Sequence, residues 1–199
     1  MSRPFVLGLT GSIGMGKSAV AAMLGEMGVP VFDADACVRM MQGPGGVLLP
    51  AIEAAFPGTT GAAGVDRDRL GAAVFGDDAA LARLEAIVHP AVAERRHAFM
   101  ADHADARVVV FDIPLLFEKV GRQGIDAIAV VSAPAEAQRD RVLARPGMTA
   151  DKFAAILARQ MPDAQKRALA DHVIDTGTTL AQTRAQVRLL IDELGLARE

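Results

Sequence analysis

The chain has 199 residues, of which 51% are hydrophobic, and a formal net charge of -3. That length supports one α/β domain with a full core and an inserted subdomain, but not two independent domains. The slight acidity excludes the broad basic face of a general nucleic-acid or membrane-surface binder, and the single cysteine, Cys37, excludes an intrachain disulfide.

From the N-terminus, Phe5–Thr10 reads as an apolar strand, too short and too interrupted by Gly8 for a signal peptide. With no apolar stretch of 18 residues anywhere, the expected location is the cytoplasm. The strand runs into Gly11, Ser12, Ile13, Gly14, Met15, Gly16, Lys17 and Ser18, which satisfy the phosphate-loop spacing of Gly, four residues, Gly-Lys-Ser. A helix is predicted over residues 17–27, stopped by Gly28. The strand–loop–helix context is what makes the match specific, since a glycine-rich turn alone would carry little. Glycines let the backbone wrap a phosphate chain, and their N–H groups converge on it as an anion nest. Lys17 is expected on the β- and γ-phosphates and the Ser18 hydroxyl on a magnesium ion. The nucleotide-binding set is residues 11–18 with Ala19 following.

A second strand, 29–32, delivers Asp33 and Asp35 to the edge of the sheet where ligands bind. Asp33 is the candidate to take a proton from an acceptor hydroxyl. The spacing puts the two carboxylates on opposite sides of an extended chain, so only one is expected to face the phosphate, and Asp35 either takes a catalytic or metal role or caps a helix starting at Ala36. Residues 36–105 show no convincing strand and read as a helical insertion. A helix starting after Asp77 and Asp78 is expected to break or kink near His89-Pro90, giving a structural turn.

Further strands follow at 108–113, 125–131 and His172–Asp175. Asp112 ends the first of these and is a candidate to hold magnesium through water. Alternation of strands with helices implies βαβ units, hence a five-stranded parallel sheet with helices on both faces. Pro134 and Glu136 open a helix in a basic segment, 139–167, that holds seven Lys or Arg against three Asp or Glu. There Arg141 and Arg145 lie four apart on one face, placed either to meet a transferring phosphoryl group or to pair in solvent with Asp140 and Asp151. Leu180, Val187, Leu190, Ile191 and Leu194 mark one apolar face of a final helix.

Guanine specificity needs an Asn-Lys-x-Asp segment, and the chain contains no asparagine. Larger motor and transport ATPases carry Asp-Glu after an apolar strand, whereas here Asp112 is followed by Ile113-Pro114. A small-molecule kinase fits better than either.

Over nearly its whole length the chain resembles the dephospho-CoA kinases, which phosphorylate the ribose 3'-hydroxyl of dephospho-CoA with ATP. The resemblance rests on residues 9–18, Asp33-Ala34-Asp35, Asp66-Arg67 with Leu70 and Phe75, His89-Pro90, and the run from Asp112 to Glu118. It continues through Arg141, Arg145, Arg159-Gln160-Met161 and the segment 170–175. It implies the kinase fold of the P-loop nucleoside triphosphate hydrolases, as a single domain over 1–199 with strand order 2-3-1-4-5. It also implies a substrate-binding insertion at about 36–105 and a lid at about 138–170. In this reading Asp33, Lys17 and Arg141 are catalytic, Asp33, Leu116 and Glu118 bind dephospho-CoA, and Ser18 and Asp112 hold Mg2+ beside ATP. Neither nucleic acid nor membrane is an expected partner. The chain departs from the usual pattern at Ala19, Pro146 and Thr176, the last standing where an asparagine is usual. Two other readings are a kinase of another small alcohol or nucleotide, and an ATP-dependent switch or binding module without acceptor-dependent turnover.

Overall fold

The computed structural model describes residues 3–194. The chain falls into two compact units, one built from residues up to Phe32 and from His103 onward, the other from Asp33–Asp102.

The first unit is organised by β1 (Phe5–Thr10), buried at every position after Phe5 as befits a central strand covered on both faces. It pairs in parallel with β5 (Val108–Asp112) on one side and β6 (Ala127–Ser132) on the other, so that Leu7 lies opposite Val110 and Ala127. With β2 (Val31–Asp33) and β7 (His172–Asp175) the sheet order is β2-β5-β1-β6-β7, and numbering these five strands by chain order gives the 2-3-1-4-5 that the resemblance implies. Period-two alternation splits the core. Leu7, Leu9, Val108, Val110, Ala129 and Val131 pack with α1 (Lys17–Glu26) and α9 (Leu180–Glu193). Ile128 and Val130 pack on the other side with Leu116, which opens a π-helical turn, Leu116–Val120. The basic segment forms α6 (Ala135–Leu143), α7 (Ala150–Leu157) and α8 (Asp163–Leu169). Val187 and Leu190 of α9 are buried as the periodicity predicts, but Leu180 is 72% exposed. Leu180 is the first residue after the Thr179 cap, and burial along the helix begins only at Thr183.

The second unit contains α2 (Ala34–Gln42), α3 (Leu49–Ala55), the hairpin β3 (Thr60–Gly61) and β4 (Gly64–Val65), α4 (Arg67–Val74) and α5 (Asp78–Asp102). The hairpin corrects the expectation of a purely helical segment. The Glu53 carboxylate stabilises it, accepting from the amides of Gly58 (2.7 Å) and Thr60 (3.0 Å) and from the Thr60 hydroxyl (2.7 Å). The predicted turn at His89-Pro90 is also absent, because α5 runs through Pro90 as one 25-residue helix. Proline costs α5 one amide donor, yet α2, α3 and α4 all pack against this helix, and such packing outweighs local propensity. Among the described residues no helix is long and apolar enough to cross a membrane.

Candidate active site

The phosphate loop leaves β1 at Gly11 and enters α1 at Lys17. Two glycines have to be glycines. Gly14 and Gly16 hold φ of 77° and 87°, and a Cβ on Gly14 would stand 2.5 Å from a Val142 methyl and 2.9 Å from the Gln138 carbonyl oxygen. Lys17 and Ser18 begin a helix, so their amides have no partner inside it and carry the positive end of its dipole.

The loop is tied to its surroundings at three residues. Met15 donates its amide to Ser12 O at 3.1 Å, and its sulfur accepts the amide of Ala133, also at 3.1 Å. Its carbonyl accepts the Thr176 hydroxyl at 2.6 Å. Ile13 is held at both ends, its amide donating to Gln160 Oε1 (3.1 Å) and its carbonyl accepting from Gln138 Nε2 (2.7 Å). Lys17 forms an ion pair with Asp112 at the end of β5, with the two side chains 15% and 5% exposed. Asp112 is thus a partner of Lys17 rather than an open carboxylate.

Arg141 projects from α6 to the loop after β7, where its guanidinium donates to the Thr176 hydroxyl (3.1 Å) and carbonyl (2.6 Å). A single buried threonine therefore joins Arg141 to the phosphate loop. Arg145 is exposed.

Asp33 ends β2 and caps α2, its Oδ1 accepting the Ala36 amide at 2.8 Å. The capping role foreseen for Asp35 thus belongs to Asp33, because the chain turns helical at Ala34, two residues early. Its other oxygen lies 3.6 Å from the Arg39 guanidinium on a side chain 42% exposed.

Leu116 has no exposed surface and packs against Ile128 and Val130. Its side chain fills the core and fixes the turn after β5, so any service to the acceptor runs through that turn. Glu118 is likewise engaged inward, accepting the Met161 amide at 2.8 Å and lying 2.9 Å from the ammonium of Lys166, a residue with no exposed surface. Burial pushes the Glu118 carboxyl up, but the bond to Lys166 and the Met161 amide outweigh it and hold the group below the ordinary glutamate range.

In the sequence Thr176 stands out only as a departure from the usual pattern, and Gln138 and Lys166 belong to no local motif. Their partners lie far off in sequence, so spacing could not find them.

A divalent cation fits only in part through protein oxygens. Ser18 is exposed at the helix start, and among the described residues no group of three His, Cys, Asp or Glu is arranged to hold a metal. That suits a hard cation held by one or two protein oxygens and completed by phosphate oxygens and water. A cleft of about 470 Å³ lies at the other edge of the sheet between Gly28, Pro30, Arg107 and Val108. It lacks any anion nest, so chemistry rather than size selects the phosphate loop.

A family profile for dephospho-CoA kinase matches residues 5–182. A dephospho-CoA kinase of Novosphingobium aromaticivorans is 71% identical over 191 residues, covering 96% of this chain and 95% of that protein. The crystal structure of TT1252 from Thermus thermophilus superposes with a TM-score of 0.83 at 34% identity, covering 97% and 99% of the two chains. A dephospho-CoA kinase from Campylobacter jejuni shares the fold, with a TM-score of 0.63 at 23% identity over 97% and 98%.

Proposed function

From the membership of this chain in the dephospho-CoA kinase family, a family of ATP-dependent kinases, we propose that it transfers the γ-phosphate of ATP to the 3'-hydroxyl of dephospho-CoA in the cytoplasm, with residues 11–18 as the donor site. The observation that carries the donor assignment is the glycine-built loop between β1 and α1, with helix-start amides and Lys17 at its end. In the transfer the acceptor oxygen bonds to the γ-phosphorus while the bond from that phosphorus to the bridging oxygen of ADP breaks. The hydroxyl proton goes to Asp33.

Each residue has a distinct task. Loop amides receive the phosphate oxygens, and Lys17 exchanges Asp112 for them, so no uncompensated lysine is left buried in either state. Asp112, freed of Lys17, and Ser18 would hold Mg2+, which when bound neutralises charge on the β- and γ-oxygens. Arg141, anchored on Thr176, faces negative charge that develops on the transferring group. Glu118 and Leu116 serve the acceptor by shaping the turn after β5.

ADP release measured against a panel of alcohols tests the acceptor. Dephospho-CoA should raise turnover far above the ATPase background, and an equal response to any other alcohol would defeat the assignment. Asp33→Asn should keep ATP affinity while turnover falls, whereas Lys17→Ala should lose both.

A further inference from the structure

We propose that Gln160 is a positioning residue of the phosphate loop, its carboxamide and that of Gln138 bracketing Ile13 so that the loop's shape depends on the segment between α6 and α8. The inference rests on reading residues 11–18 as the nucleotide site.

Both main-chain polar groups of Ile13 are taken by glutamine side chains. The donor end of Gln138 meets the Ile13 carbonyl, and the acceptor end of Gln160 meets the Ile13 amide. Gln138 is buried on α6, directly beneath the loop glycine that follows Ile13. Gln160 comes from the corner between α7 and α8, 147 residues away in sequence.

That corner is itself fixed. The Gln160 amide donates to Leu157 O at 3.0 Å, and the next amide, of Met161, goes to Glu118. Glu118 is pinned by the buried Lys166 one helix turn into α8, while Asp163 at the start of α8 accepts the Ser132 hydroxyl at 2.7 Å. Glu118 follows β5 and Ser132 ends β6, the two strands that flank β1 in the sheet. The same strands that frame the phosphate loop therefore hold the residue that closes on it. A glutamine without such anchoring would lose rotamer entropy for one hydrogen bond to a loop that could move away; here that ordering is already complete.

Choice of side chain separates this role from general support of the fold. Glu at 160 keeps an acceptor for the Ile13 amide but adds a negative charge where the nucleotide's phosphates are bound. Leu removes the acceptor and leaves the amide unmatched.

Three proteins are compared by calorimetric titration with ATP, melting temperature and steady-state kinetics. For Gln160→Glu, the expected result is a melting point within about 2 °C of the parent and an ATP Kd raised about tenfold, with the difference shrinking as salt is added. The kcat at saturating ATP should fall less than about threefold, because a residue that positions the loop acts on KM for ATP before kcat. Gln160→Leu should raise Kd about fivefold, without the salt dependence, through loss of the loop's fixed shape. If both variants bind ATP as the parent does, or lower the melting point with Kd unchanged, Gln160 is a support of the fold and the inference is wrong. Failure of the underlying reading looks different, since Lys17→Ala would then retain ATP binding.

Discussion

Lys166→Met gives the sharpest test of how the first unit is held together. Lys166 has no exposed surface, and its ammonium lies 2.9 Å from Glu118 Oε1. That ammonium, Glu118 Oε2 and Asp163 Oδ1 are all buried without a well-aligned hydrogen bond. The pair is thus two desolvated charges whose attraction only roughly offsets the cost of burial. Removing the lysine alone leaves Glu118 without its counter-charge, at a cost of about 3–5 kcal/mol. At about 2–4 °C per kcal/mol for a chain of this size, melting should fall by about 6–20 °C. Replacing both charges, Lys166→Met with Glu118→Leu, strands only the Met161 amide and should cost about 1–3 kcal/mol. Calorimetric melting of parent, both single variants and the double variant closes a thermodynamic cycle. The reasoning is refuted if Lys166→Met melts within about 2 °C of the parent, or if the double variant is less stable than either single one.

Three further outcomes follow from the same structure. The folded Glu118 carboxyl titrates below its unfolded value, so its contribution is present above the ordinary glutamate pKa of about 4.3 and lost as pH falls through the folded value. The urea-midpoint gap between parent and Glu118→Gln should therefore be constant between about pH 6 and 8 and shrink below about pH 4, and a gap unchanged at about pH 3 would contradict this. Thr176→Val removes the hydroxyl that joins Arg141 to Met15 and should destabilise by about 1–3 kcal/mol in denaturant titration while raising KM for ATP, with Thr176→Ser restoring most of both. Gly14→Ala adds a methyl into the Val142 and Gln138 contacts at positive φ, so a loss of about 2–4 kcal/mol and of ATP binding by titration is expected.

What the sequence discloses is local. The phosphate loop could be read because glycine spacing, an apolar strand and a helix signal sit side by side within 22 residues of chain, from Phe5 to Glu26. The sheet's strands were legible for the same reason, each an apolar run bounded by turn residues. Asp33 and Asp35 show where this fails, since either suits a cap and only the extended backbone at Asp33, with φ -90° and ψ 103°, decides between them. The strands of β3–β4 are two residues each and too short for alternation to register. Pro90 carries a strong local signal that packing overrules. Leu116 and Glu118 belong to a motif, but a motif does not say which way a side chain points. The Thr176 bond to Met15 spans 161 residues and the Glu118 bond to Met161 spans 43, so neither leaves a mark on spacing.

The Met15 sulfur, 3% exposed and accepting the Ala133 amide, places an oxidisable atom inside the phosphate loop. Peroxide converts a thioether to a sulfoxide only where it can reach the sulfur. Modification of Met15, slow relative to that of exposed Met40, would then act as a clock for excursions that lift the loop off β6, including those too rare to perturb an average structure. A bound nucleotide, by holding the loop down, would slow that clock.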